Sequence, residues 1–145
     1  MLKLFMALAA FAGIGQQAPA ANQYAEGQVW EYRTRAGEEE SLLKIQRIEA
    51  LGDPPRPVYH ISIVGIRFGG PEGQSELPHL PVSRETLDAS VTRLASRTVP
   101  FPTPDEGIAE WRSAQGGVFT IPVAEIVAVA EQAVREARAQ MQEGK

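Results

Sequence analysis

Cysteine is absent from the chain and histidine occurs only twice. Without a thiol there is no thiolate nucleophile, no CxxC redox pair, no thiolate metal site and no disulfide, so the fold must rest on its core. Basic residues are in deficit: 14 Lys and Arg stand against 18 Asp and Glu, a formal net charge of -4. Phosphate backbones demand clustered positive charge, so the composition excludes nucleic acid as a partner. The body of the chain has no run of about 18 uninterrupted apolar residues, the length a membrane-spanning helix needs. Also missing are GxSxG, a phosphate-cradling glycine turn with its lysine, HExxH and an EF-hand loop. There is no internal repeat.

What is present begins with an address. Lys3 supplies a positive start, Leu4 to Ile14 a short apolar run, and Ala18-Pro19-Ala20 a small-x-small cleavage site. Residues 1–20 read as a cleavable secretion signal, and 21–145 as one small domain. No cysteine follows the apolar run to carry a lipid. The product is expected in the periplasm of a bacterial cell or secreted, with no membrane span after cleavage. At 43% apolar residues, a domain of this size buries roughly two-thirds of its unfolded surface, enough for one core.

Periodicity predicts an α+β fold. Gln28 to Arg35 alternates with Trp30, Tyr32 and Thr34 on one face, a strand pattern that turns at Gly37. Arg33 and Arg35 are then expected near Glu39, Glu40 or Ser41 of the returning strand, at a solvated hairpin end. Ser41 to Leu51 suits either a strand or a short helix, since Leu42, Ile45, Ile48 and Leu51 are three apart; the hairpin favours a strand. Val58 to Phe68 alternates Tyr59, Ile61 and Ile63 with His60, Ser62 and Val64, a sheet with one wet face. Arg67 to Ser83, rich in Gly and Pro, reads as a long loop of the kind that carries function.

Ser83 caps a helix with a Leu87, Val91 and Leu94 stripe. Thr103-Pro104-Asp105-Glu106 reads as a capping box for a second helix ending at Gly116-Gly117, with Ile108 and Trp111 inward. Val118 to Ile121 suits a last strand, and Pro122 opens a long helix to about Gln142. The expected architecture is an antiparallel sheet of three to four strands with about three helices packed on one face.

Chemistry converges on the two histidines. His60 lies on a strand and His79 in the returning loop, so a fold-back brings them together with Glu76 in a two-His, one-carboxylate arrangement. With no HxH or HxxxH spacing, neither a metal nor any other cofactor is expected. Trp111 offers a stacking surface and Arg112 a cation for an anionic ligand at the edge of the second helix. The candidate binding residues are His60, Glu76, His79, Trp111 and Arg112; Ser62 and Ser90 are too ordinary to count as nucleophiles. Two readings follow. The first is a non-enzymatic binding protein whose partner is another envelope or secreted protein, captured through the exposed loop from Gly69 to Pro81 and steered by acidic charge toward a basic surface. The second is a small-ligand-binding or hydrolytic domain with its site near His60 and His79.

Overall fold

The computed structural model describes residues 24–69 and 74–144, so the expected secretion signal lies outside the described residues. The alternating run at the start forms β1 (Val29–Tyr32), which buries Trp30 and Tyr32. It pairs antiparallel with β2 (Leu42–Leu51), settling that ambiguous segment as a strand. The spacing of three has a local cause. A bulge between Ile45 and Arg47 inserts one residue, so Ile45 and Ile48 share a face although an odd number of positions separates them.

β3 (Arg56–Arg67) pairs with β2 and then with β4 (Gln74–Val82). β4 occupies most of the stretch whose prolines suggested a loop. It is tolerated as a strand because it lies at the sheet edge, where Pro78 and Pro81 need supply no outward N–H. Its end is stitched by Phe119 N to Pro81 O (2.9 Å) and Ser83 N to Phe119 O (2.9 Å). That bridge to Val82 is all that forms where a last strand was expected.

Ser83 caps α1 (Arg84–Ser90), its side chain accepting from Thr86 N at 3.3 Å. The helix stops early: Val91–Leu94 becomes β5 and covers the free edge of β1, leaving Leu94 54% exposed rather than on a helical stripe. The β-branched pair Val91 and Thr92 suits this extended backbone. The sheet therefore has five strands, not three to four, in the order β4-β3-β2-β1-β5. α2 (Asp105–Ser113) starts one residue later than the capping box implied and has no side-chain cap, because the capping position falls on Pro104, which has no side-chain acceptor; Asp105 pairs with Arg47 at 3.0 Å. α3 (Val123–Glu143) begins after Pro122, and Ser90 Oγ accepts from its Val123 N at 2.9 Å.

The helices do not share one face. Leu87 of α1 and Val123, Ile126 and Val127 of α3 pack on Trp30, Tyr32, Leu43, Ile45, Tyr59, Ile61 and Ile63. α2 and the segment before it cover the opposite face, where Gln46 Nε2 donates to Pro102 O at 3.0 Å and Lys44 lies 5.9 Å from the Phe101 ring. The face expected to be wet is thus closed: His60 and Ser62 are both 0% exposed.

Candidate functional site

The site is built on this second face by two irregularities of the sheet. The bulge in β2 sets Arg47 opposite His60 and Glu49 opposite Val58, so both charged side chains share the His60 face. A register shift between Ile61 and Ile63 gives β4 an extra residue there and places His79 beside His60. Ser62 Oγ donates to Pro78 O at 2.6 Å and accepts from Gln46 Nε2 at 3.1 Å, which pins the irregular part of β4.

His60 Nδ1 and His79 Nε2 are 2.8 Å apart, one donating to the other, with the rings stacked at 5.0 Å. The other His60 nitrogen, Nε2, is the one buried side-chain polar atom among the described residues without a hydrogen-bond partner. It points toward Glu49 Oε1 at 3.4 Å, an ion-pair distance that falls short of hydrogen-bond geometry. The neutral tautomer follows from that neighbour. A proton on His60 Nε2 faces the carboxylate, leaving Nδ1 to accept from His79 Nε2–H.

α2 closes the site. The Trp111 ring stands edge-on to His60 (4.9 Å) and to His79 (6.3 Å), and its Nε1 donates to Gly117 O at 2.9 Å. Arg112 Nη2 pairs with Glu49 Oε2 at 2.6 Å, and Arg47 with Asp105 at 3.0 Å. Two glycines make room for these rings. A Cβ on Gly107 would stand 2.5 Å from His79 Cβ, and one on Gly116 would stand 2.4 Å from Trp111 Cδ1. Beside Trp111 an open cleft of about 410 Å³ is lined by Glu49, Leu51, Arg112, Gln115 and Gly116.

Electrostatically the pair is neutral. Burial pushes the His60 imidazole below its ordinary value; Glu49 works against that shift, while Arg112 and Arg47 reinforce it. Burial, then His60, holds His79 down at about 4. For Glu49 burial favours the protonated form, but the Arg112 hydrogen bond and His60 outweigh it and keep the carboxyl below its usual range.

Four of the five candidate residues, His60, His79, Trp111 and Arg112, come together. Glu76 does not. It lines a separate cleft of about 560 Å³ with Glu40, Val64 and Arg97, and Glu49 stands where a carboxylate was expected. Glu49 is missed in the sequence because the bulge at Gln46 has to be known before its face can be assigned. Among the described residues no group of three or more His, Asp or Glu side chains is arranged to hold a metal. The imidazole nitrogens that would have to converge on an ion instead face each other. Ser90 Oγ donates to Thr86 O at 2.6 Å, so both candidate serines are tied to carbonyls rather than to a histidine.

Comparisons with family models, with curated proteins and with solved structures give no match to this chain, so the reading of the site rests on its own geometry.

Proposed function

We propose that this chain is an exported binding protein, periplasmic or secreted, that recognises an envelope or secreted partner without chemistry of its own. Its recognition surface is the cleft beside α2 rather than the Gly69 to Pro81 stretch, most of which is β4. The observation that carries this reading is the position of Leu51, Trp111 and the Glu49–Arg112 pair at an open cleft, backed by the fully buried His60 and the half-buried His79. An apolar side chain, an indole edge and a fixed ion pair on one surface are the elements of a protein-recognition centre. The Ser62 hydroxyl, on the same face as His60, donates to the Pro78 carbonyl rather than to an imidazole, which favours binding over hydrolysis. The acidic net charge favours a basic partner.

The test is affinity capture from the native envelope with three forms of the protein. Leu51 is 42% exposed at the cleft, and Val129 is 54% exposed on α3, on the other side of the sheet. Each should accept glutamate within about 0.5 kcal/mol of stability, as surface positions do. A stoichiometric partner held by the natural chain and by Val129→Glu, and lost with Leu51→Glu, is the expected result. A partner held equally by all three, or no partner, would remove the cleft from the account.

A second reading is favoured by the size of the same cleft, whose volume of about 410 Å³ suits a small ligand. It predicts that native extracts stripped of protein raise the melting temperature of the natural chain and not that of Leu51→Glu.

A further inference from the structure

The histidine pair suggests a property that does not depend on what the cleft binds. We propose that His60 and His79 form an acid-sensitive latch, which holds α2 on the sheet near neutral pH and releases it as the pH falls toward 5.

The geometry makes a proton unwelcome while α2 is docked. His60 is faced by Glu49 and Arg47 from β2, by His79 from β4, and by Trp111 and Arg112 from α2. Asp105, the acidic residue of α2 that reaches β2, is taken by Arg47. Glu49 is already engaged by Arg112 at 2.6 Å, so a cation on His60 meets a shared carboxylate and two guanidinium groups. His79 has less help still. The charged neighbour that acts on it is His60, and Gly107 and Trp111 pack against its ring. Its one nitrogen outside the pair, Nδ1, lies beside Gly107 in a half-buried position, so a proton there is only partly hydrated until α2 lifts.

The sign follows from the lowered values. Both rings are neutral in the docked state, and each returns to its ordinary value near 6.5 once α2 is away. Undocking therefore takes up protons. The latch is complete above about 6.5, weakens as pH falls below that value, and levels off for His79 near 4. At pH 5 His79 alone raises the open-to-docked ratio by up to about 30-fold relative to pH 8.

α2 can yield without the rest of the fold. Ile108 is its one buried residue, its two ion pairs involve exposed partners, and irregular segments flank it on both sides. Neither histidine belongs to the main apolar cluster on the opposite face. Local opening of such an element is the ordinary behaviour of the weakest unit in a domain.

Amide hydrogen exchange on the purified chain between pH 7.5 and 5, corrected for intrinsic rates, tests the latch above the range where carboxylates titrate. Protection of Asp105–Ser113 is expected to fall at least about tenfold while that of Val123–Val134 holds, and His79→Gln, which cannot titrate, is expected to flatten the response. Unchanged α2 protection, an equal fall in the variant, or loss at α3 in step with α2 each overturns the proposal. Should His79→Gln fail to fold, the imidazole NMR titration of the natural chain decides. Ordinary titration of both rings with α2 still protected sinks the latch, and depressed titration of both upholds it.

Discussion

Gly107→Ala is expected to destabilise the domain and loosen α2, against the ordinary rule for such a change. Inside a helix, glycine to alanine normally stabilises by about 1 kcal/mol, because alanine loses less conformational freedom on folding. Here the new Cβ would lie 2.5 Å from His79 Cβ, 3.0 Å from Cγ and 3.1 Å from Nδ1. The first contact is with the root of the side chain, which cannot swing aside without moving β4, and relieving the other two means turning the ring away. Either the helix shifts outward, breaking the Trp111 packing, or His79 leaves its bond to His60. Overpacking of this kind costs about 1–3 kcal/mol, so after the helix gain the net change is a loss of up to about 2 kcal/mol and a fall in melting temperature of up to several degrees. Thermal unfolding followed by circular dichroism measures it. Gly117→Ala, whose Cβ meets nothing within 4 Å, should be neutral. The diagnostic is the double variant: with His79→Gly also in place, which removes the opposing Cβ itself, Gly107→Ala should regain its stabilising sign. A rise in melting temperature for Gly107→Ala alone would show that the helix adjusts freely and that the close fit is not a constraint.

That glycine belongs to a part of the fold that the sequence hides. α3 is legible because Val123, Ile126 and Val127 begin one stripe after a proline, and β1 and β3 because their alternation is strict up to the first bulge. The bulge in β2 and the register shifts in β4 are different. They arise from how one strand fits its neighbour, and a single inserted residue reverses every face that follows it. For that reason Glu49 could not be assigned to the His60 face, and Glu76, three residues from His79, looked nearer than it is. α2 poses a related problem. Its buried Ile108 announces that one side packs, but not against which face of the sheet. His60 and His79 stood out only because histidine is scarce. Trp111 and Arg112 were found through their own chemistry rather than through any sign that α2 crosses over.

Arg35→Ala should destabilise the chain more than any other single charge removal. The sequence suggests a solvated hairpin end here, yet Glu38 in the turn is only 4% exposed. Arg35 grips it with two hydrogen bonds, Nε to Oε1 at 2.9 Å and Nη2 to Oε2 at 2.7 Å, while Nη1 reaches Glu131 of α3 at 2.9 Å. Glu38 also accepts from Arg67 N at 2.7 Å, so the turn, the end of β3 and α3 meet at one guanidinium. Removing the arginine leaves a buried carboxylate without its counter-charge, which costs about 3–5 kcal/mol in comparable sites. The pH dependence identifies the cause. In the natural chain burial favours the protonated form of Glu38, but Arg35 and the Arg67 amide outweigh it and hold the carboxyl below 4.5. Its contribution is therefore complete above 4.5 and is lost as pH falls through the lowered value. In Arg35→Ala burial is opposed by the Arg67 amide without the guanidinium, and the carboxyl takes up its proton earlier. The stability gap between the two proteins, measured by urea unfolding, should then be widest at pH 7 and narrow toward pH 4. Adding Glu38→Gln to the variant removes the charge while keeping an acceptor for Arg67 N, and should recover part of the loss at pH 7. A gap that stays constant with pH and is unmoved by Glu38→Gln would mean that Arg35 acts through the packing of its stem, not through the buried carboxylate.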